Sequence, residues 1–227
     1  MSNFSVFDII GPIMIGPSSS HTAGAARLAK VAAIVAGNNI KKVEFLLHGS
    51  FAQTYKGHGT DKALVAGILG MNPWDENLRN SFCIAKEKCV EFTFTETDLG
   101  DVHPNTVKFV ITKKDGKITN IVGSSIGGGN IIIFDLDGHS VEFRGDYTTL
   151  ITDHKDTPGV ISKITTLLYA EGINIGSMKV YRTSKGSTAT MALETDNVIS
   201  EDIIEKIKSI SEIYDMKVIN PMVEGDA

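Results

Sequence analysis

The sequence predicts an α+β protein of two domains. Apolar residues recur at helical spacing in some segments and alternate with polar residues in others, which indicates both helices and half-buried strands. The order of these segments changes near residue 146, and 227 residues are enough for one large domain or two small ones. We therefore expect domains over residues 1–145 and 146–227, with no long linker between them.

The first domain is expected to begin its regular structure with an alanine-rich helix. Gly16 and Pro17 indicate a turn, and apolar residues then recur at helical spacing as far as Ala36. Gly37 is a suitable residue to end this helix. A second apolar helix is predicted over residues 63–69, with Thr60 or Asp61 as its cap.

Alternating and apolar runs predict the strands of the first domain, which lie at residues 43–47, 90–94, 107–112, 118–122, 131–135 and 140–143. The glycine-rich stretch 123–129 is expected to be a loop that exposes its backbone. It lacks the Gly-Lys-Ser/Thr of a P-loop, and a strand follows it, so it is a weak nucleotide signal.

The second domain has the predicted order strand, helix, strand, strand, helix, strand. In its first helix, Pro158 suits the first position with Thr157 as N-cap, and Ser200 is expected to cap the second helix. This βαββαβ order is typical of a ferredoxin-like sandwich, in which helices cover one face of an antiparallel sheet.

Composition excludes several classes of function. The chain is 42% hydrophobic, has a net charge of -5 and contains no basic cluster, so we expect no nucleic-acid partner. No apolar run reaches the length of a membrane span, and the first residues carry no secretory signal. We expect no membrane association and a cytoplasmic location.

Cysteine content limits the metal chemistry of this chain. Cys83 and Cys89 are the only cysteines, and two thiolates cannot form the usual four-thiolate shell of an iron–sulfur cluster or structural zinc. We interpret them as reduced thiols in or near a core. If a metal is involved, its thiolate ligands must come from another chain.

Three serines and a histidine form the first polar cluster, at the start of the alanine-rich helix. The unpaired N–H groups and the positive dipole of a helix start, together with these hydroxyls, suit a carboxylate or phosphate. His21 adds a group that can move protons. The alternative is that Ser20 simply caps the helix.

Further polar clusters follow. His48-Gly49-Ser50 ends the first strand, and His58 lies between two glycines at a helix entrance, where packing is a weak explanation for a histidine. His103-Pro104-Asn105-Thr106 precedes another strand, and a simple turn explains it equally well.

Four motifs, in order, resemble the β subunit of bacterial iron–sulfur-dependent L-serine dehydratase: Ser18–Thr22, Gly57–Asp61, His103–Thr106 and Ser125–Gly129. Residues from Tyr147 onward are similar to an ACT domain, a small-molecule regulatory module, through the motifs Asp156-Thr157-Pro158-Gly159 and Gly172-Ile173-Asn174. The first domain also resembles the substrate-binding regulatory domain beside an ACT domain in some phosphoglycerate dehydrogenases.

The resemblance implies an enzyme that converts L-serine to pyruvate and ammonia without pyridoxal phosphate. In that family the labile iron of a 4Fe–4S cluster binds the substrate as a Lewis acid, and the α part supplies the cluster's cysteines. Since the α part is absent here, we expect a separate α subunit as partner and a chain that is inactive alone. No metal ligand is assigned to this chain.

Dehydration of serine needs a base at Cα and donors for the carboxylate. We expect His21 and His58 to be the catalytic residues, although the sequence leaves open which of them, if either, takes the proton. The expected substrate-binding residues are Ser18, Ser19, Ser20, Thr22, Gly57, Gly59, Thr60, Asp61, His103 and Asn105. A second possibility is a regulatory module without catalytic function that binds serine or another small anion.

The ACT-like domain is expected to associate with a second copy through an edge strand. Its expected ligand loop comprises Asp156, Pro158, Gly159 and Asn174. A domain that serves only as a dimer contact is the alternative.

Overall fold

The computed structural model describes residues 13–182 and 184–221. The chain forms two compact units, divided between Gly138 and His139 by the density of internal contacts. This division falls before the boundary that the sequence suggests after residue 145, and that boundary stays a prediction.

The helices of the first unit begin with an irregular turn. A π-helix, Ser19–Gly24, continues directly into α1, Ala25–Ala36, which ends at Gly37 as predicted. The remaining helical segments are α2 (Gly49–His58), α3 (Thr60–Ile68), a 3₁₀ helix (Glu76–Asn80) and α4 (Ser81–Glu87). Helices α2 and α4 are not predicted from the sequence, because neither carries a long apolar stripe.

The sheet of the first unit contains β1 (Ile40–Leu47), β2 (Glu91–Glu96), β3 (Thr106–Lys113), β4 (Ile118–Gly127) and β5 (Asn130–Leu136). Along the sheet these strands follow the order β2-β1-β3-β4-β5. The β1–β2 pair is parallel, and the other pairs are antiparallel. Val43, Phe45 and Leu47 of β1 are fully buried while their neighbours are partly exposed, as the alternating pattern predicts.

Small residues set the distance between α1 and α3. A Cβ placed on Gly67 of α3 would collide with the carbonyl oxygen of Ala26 and would lie 2.7 Å from the Ala29 Cβ. Only glycine allows this approach of the two backbones. Gly123 of β4 has the same role beneath α1, because a Cβ there would lie 2.7 Å from a methyl carbon of Leu28.

The expectation of a loop over residues 123–129 is wrong for residues 123–127. Strand β4 continues to Gly127, and Ser124 and Ser125 are buried. The residues pair on both sides, Ser124 with Thr106 of β3 and Ser125 with Ile131 of β5, so the ladder holds them extended. Only Gly128 and Gly129 make the turn, both with positive φ.

The second unit contains β6 (His139–Phe143), β7 (Thr148–Lys155), α5 (Val160–Ala170), β8 (Ile175–Arg182), β9 (Thr188–Thr195), α6 (Glu201–Lys208) and β10 (Ile213–Ile219). Its antiparallel sheet has the order β10-β7-β9-β8. The predicted ferredoxin-like βαββαβ order is therefore confirmed. Ile164 and Leu168 of α5 and Ile203 of α6 pack against Leu150 and Leu193 of the sheet.

Two predicted helix caps are wrong. Gly59 precedes α3 with φ +72°, and Gly159 precedes α5 with φ +95°, in place of Thr60 or Asp61 and of Thr157. At the start of each helix the chain turns through a residue in the left-handed conformation, which glycine adopts without strain. Ser200 does precede α6 in extended conformation, but its side chain makes no capping hydrogen bond.

Over residues 13–182 and 184–221, we find no helix with the length and apolar character needed to cross a membrane.

Candidate active site

The π-helix positions His21. Ser18 precedes it in an extended conformation, and the Ser18 Oγ accepts a hydrogen bond of 3.1 Å from the backbone N–H of His21. The Ser18 carbonyl accepts from both Thr22 and Ala23, at 2.9 and 3.4 Å, which is the widened turn of a π-helix. Such turns occur frequently at functional sites.

Two close approaches hold the π-helix in place. A Cβ on Gly24 would overlap the hydroxyl of Ser125, so this glycine lets β4 lie directly against the turn. A Cβ on Gly16, whose φ is +138°, would lie 2.5 Å from Cγ2 of Thr22. The buried Ser125 hydroxyl has no hydrogen-bond partner within the described part of the chain.

The imidazole of His21 contacts three side chains of α2. Its Nε2 lies 3.1 Å from the Oγ of Ser50. Its ring meets Phe51 edge-on at a centroid distance of 5.2 Å and His58 at 4.9 Å. Ser50 and Phe51 are not among the site residues predicted from the sequence, because the pattern of α2 does not reveal a helix. The polar cluster His48-Gly49-Ser50 was the available signal.

Burial lowers the pKa of His21 below its ordinary value, and the nearby His58 lowers it further. A hydrogen bond with Ser50 partly opposes these two effects. His21 is therefore held as a neutral imidazole near pH 7, and a neutral imidazole can accept a proton.

His58 is the last residue of α2 and is exposed. Its carbonyl accepts a hydrogen bond of 3.3 Å from the Oγ1 of Thr22, which is itself buried, so α2 and the π-helix are joined next to both imidazoles. A Cβ on Gly57 or Gly59 would meet no atom within 4 Å. The backbone on either side of His58 is thus open to solvent or to a partner.

The two residues that follow Gly59 differ in their environment. Thr60 is fully buried, and its Oγ1 makes no hydrogen bond with any residue that the structure describes. Asp61 is half-buried and accepts a hydrogen bond of 2.8 Å from the backbone N–H of Lys62. Burial raises the pKa of the Asp61 carboxyl above its ordinary value.

The segment His103–Thr106 braces the start of α2. The N–H of Phe51 donates to the carbonyl of Pro104 at 3.3 Å, and that of His48 donates to the carbonyl of Thr106 at 3.0 Å. Gly49, with φ +55°, lies so close that a Cβ there would be 2.7 Å from the Pro104 oxygen. The segment therefore holds the turn that carries Ser50 and Phe51.

Within the described residues, His103 and Asn105 make no hydrogen bond to His21 or His58. The Nδ1 of the exposed His103 accepts from the Asn105 N–H at 3.1 Å, and the Asn105 carbonyl accepts from the Ser125 N–H at 3.0 Å. The structure thus brings His21, His58, Ser18 and Thr22 together directly. Ser19 and Ser20 are partly buried in the same π-helix.

In the second unit, the expected ligand loop uses its polar side chains internally. The Asp156 carboxylate accepts from the Gly186 N–H at 2.9 Å and from Nη1 of Arg182 at 3.4 Å. The Asn174 amide donates to Asp196 at 2.7 Å. Pro158 and Gly159 are exposed.

Cys83 and Cys89 are both exposed, so the interpretation that they lie in or near a core is wrong. Cys83 lies on the outer side of the short helix α4, and Cys89 follows that helix with φ +54°. Across the residues that the structure describes, we find no group of three or more His, Cys, Asp or Glu side chains that could hold a metal ion.

The chain combines an α+β unit that has a serine-rich helix start with a ferredoxin-like βαββαβ unit. The family model described as the serine dehydratase beta chain matches residues 5–89. The model of the ACT domain matches residues 148–212.

Full-length relatives identify the family. The L-serine dehydratase beta chain of Peptoniphilus asaccharolyticus is 43% identical over 220 residues, which are 96% of this chain and 99% of the relative. The probable L-serine dehydratase beta chain of Bacillus subtilis is 41% identical over 209 residues, 92% and 94% of the two chains. This chain belongs to the L-serine dehydratase beta-chain family.

A more distant relative shares part of its length. D-3-phosphoglycerate dehydrogenase of Methanocaldococcus jannaschii is 32% identical over 197 residues, which are 86% of this chain but 37% of that protein. The similarity agrees with the expectation that the first domain is like a regulatory region of such dehydrogenases.

Proposed function

We propose that this chain is the β subunit of an iron–sulfur L-serine dehydratase that forms pyruvate and ammonia from L-serine, without pyridoxal phosphate. It supplies active-site residues to a separate α subunit. The observation that supports this most is the contact between His21 of the π-helix and His58 of α2, whose rings lie 4.9 Å apart. Both residues lie inside the region that the family model matches.

The two imidazoles have different environments and so suit different tasks. His21 is half-buried, oriented by Ser50 and Phe51, and neutral near pH 7 because burial lowers its pKa. It is the better candidate to remove the α-proton of serine. His58 is exposed at the rim and is the first of the two that an incoming substrate or subunit meets.

The hydroxyls of the π-helix have divided roles in this proposal. Ser18 caps the His21 N–H and Thr22 donates to the His58 carbonyl, so both maintain the geometry of the site. Ser19 and Ser20 are the members of the run whose hydroxyls remain for the substrate carboxylate. Asn105 supports the site indirectly, because its carbonyl accepts a hydrogen bond from the N–H of Ser125 in β4.

The residues described here do not fit a 4Fe–4S cluster. Two exposed cysteines and no group of three potential ligands offer no shell for it within the described part of the chain. In this proposal the α subunit ligates the cluster, and the metal's contribution to the reaction belongs to that subunit. This chain binds the substrate and moves its proton. A cytoplasmic location is part of the proposal.

A regulatory module without catalytic function is the second candidate. It is favoured by the similarity to the dehydrogenase of Methanocaldococcus jannaschii, which includes both units of this chain. In that case serine or a small anion would bind at the histidine pair, and no proton transfer would take place there.

The ACT unit is proposed to join two copies of the chain. Strand β8 is at the edge of the sheet, and its Met178 and Val180 are 44% and 40% exposed. An unpaired edge with apolar side chains favours pairing with another strand. An amino acid ligand near Pro158 and Gly159 is a further part of this proposal, and a unit that serves only as a dimer contact is the alternative to it.

The proposal is tested by producing the chain anaerobically with and without an α subunit and measuring pyruvate formed from L-serine. The isolated chain should be colourless and inactive, and the pair should be active. Replacing both Cys83 and Cys89 by Ser should leave the cluster's absorption in the complex unchanged. Serine binding to the chain with no activity in the complex would favour the regulatory module. Loss of the cluster in the double variant would overturn its assignment to the α subunit.

A further inference from the structure

An open cavity lies beside His58, on the side formed by the 3₁₀ helix. Its volume is about 360 Å³, and its walls include Thr22 of the π-helix, Gly57 and Gly59 next to His58, and Leu78. The volume is at the small end of ligand pockets, which span about 300–1,000 Å³. It is a space for a small molecule.

The charged lining of this cavity has one sign. Three cationic side chains, Lys56, Lys62 and Arg79, reach it from α2, α3 and the 3₁₀ helix, and no carboxylate is part of the lining. Within the described residues none of the three forms an ion pair. Lys56 lies over the ring of its neighbour Tyr55, at 5.4 Å from the centroid.

Asp61 is an acidic group close to two of these cations, since Lys62 and Lys56 both act on its pKa. Its carboxylate bonds to the backbone N–H of Lys62. The lining itself has three cations and no carboxylate, so its charge is net positive. A concave surface lined by one sign of charge concentrates counterions of the opposite sign.

We propose that this cavity is a binding site for a small anion that carries a carboxylate or phosphate group, held by Lys56, Lys62 and Arg79. The glycines on either side of His58 leave space at the cavity, since no atom lies within 4 Å of a Cβ placed on either. Arg79 can bind such a group with two parallel hydrogen bonds, and the lysines add point charges. His58 itself is part of the lining. This inference therefore rests on the proposed function, and it adds the cations that would hold the anionic group of the ligand.

The test uses the full chain, labelled with ¹⁵N, without an α subunit or cluster. Inorganic phosphate and pyruvate are titrated separately at low ionic strength, where charge attraction is least screened. The amide signals of Gly57 and Gly59 report binding at the cavity. Because no activity is measured, failure of this site and failure of the proposed function are separate results.

The double variant Lys62→Gln/Arg79→Gln removes two of the three cations, and Lys41→Gln/Lys86→Gln removes two exposed charges that do not line the cavity. We expect the first pair to weaken binding by at least about tenfold, since charge-assisted hydrogen bonds are lost. The control pair should change it by less than about twofold.

Shifts with phosphate alone would identify a phosphate site, and shifts with pyruvate alone a carboxylate site. Equal weakening in both double variants would show only general charge attraction and would overturn the proposal. So would the absence of shifts at Gly57 and Gly59 with either probe.

Discussion

The Nε2 of His21 lies 3.1 Å from the Oγ of Ser50, although 29 positions separate the two residues in the chain. The contact joins the π-helix to the first turn of α2. His103–Thr106 in turn holds that first turn through the carbonyls of Pro104 and Thr106. Three separate polar motifs therefore act as one unit, with His21 at its centre.

Replacing His21 or His58 by Ala should lower turnover of the complex with an α subunit. If either imidazole acts as acid or base, we expect a loss of about 10²–10⁴-fold. Burial lowers the pKa of His21. The midpoint of the acidic limb in the pH profile of kcat/KM should therefore lie below pH 6.5, the ordinary pKa of histidine. Pyruvate formation from pH 5 to 9 measures both effects.

The control for these variants is His139→Ala, in the second unit, which should retain normal turnover. Near-normal turnover in both His21→Ala and His58→Ala would reduce the two motifs to structural turns. A midpoint of the acidic limb above the ordinary pKa of histidine would mean that a group other than His21 titrates there.

Gly49→Ala should destabilise the first unit and lower turnover. Gly49 has φ +55°, and the new Cβ would lie 2.7 Å from the Pro104 oxygen and 2.8 Å from the Pro104 Cα. A left-handed alanine costs about 1–3 kcal/mol, and the contact with the Pro104 backbone adds to this cost. Urea denaturation followed by the fluorescence of the single tryptophan, Trp74, measures the change in the first unit.

Gly70→Ala is the matched control, since Gly70 has φ +89° and a Cβ there meets no atom within 4 Å. It should show the backbone strain without the collision and leave turnover unchanged. Equal destabilisation by the two substitutions would mean that the packing of Gly49 on Pro104 contributes nothing.

The second unit should lose stability below about pH 6.5 because of His154. This side chain is 2% exposed, and its Nδ1 lies 3.3 Å from the Thr152 Oγ1. Burial lowers the pKa of His154, while Thr152, Asp153 and Asp156 act in the opposite direction. The unfolded chain therefore binds a proton at a higher pH than the folded chain, so acid favours unfolding.

His154→Gln should reduce this dependence on pH, and His139→Gln, at a partly buried position, should leave it unchanged. Urea denaturation at pH 7.5 and 5.5, followed by NMR signals of the second unit, makes the comparison. The same loss of stability on acidification in His154→Gln and in the unmodified chain would contradict the prediction.

Val180→Lys should weaken association between copies of the full chain if β8 pairs at its edge. A charge on an edge strand opposes strand pairing. Tyr169→Lys is the control, because Tyr169 is 83% exposed on α5, away from the sheet edge. Sedimentation at micromolar concentration distinguishes the cases. A full chain that is monomeric, or a dimer unaffected by Val180→Lys, would remove the edge-pairing proposal.

Local pattern was enough to predict much of the fold. The alternation of β1, the helical spacing of α1 and the βαββαβ order of the second unit depend on side chains a few positions apart, and all three are present in the structure. The helix end at Gly37 was predicted for the same reason. The polar motifs around His21 and His58 were also visible in the sequence, because three consecutive serines and a histidine between two glycines are unusual.

Contacts between distant segments decided the rest. Helix α2 has few buried apolar side chains, and Pro104 and Thr106 hold its start, so its own pattern did not reveal it. Ser124 and Ser125 are in a strand because β3 and β5 satisfy their backbone groups. The sequence by itself determined which residues have the chemistry for a proton-transfer site. Only the tertiary structure placed Ser50 and Phe51 against His21, because burial and hydrogen bonding between segments 29 positions apart leave no periodic signal in the chain.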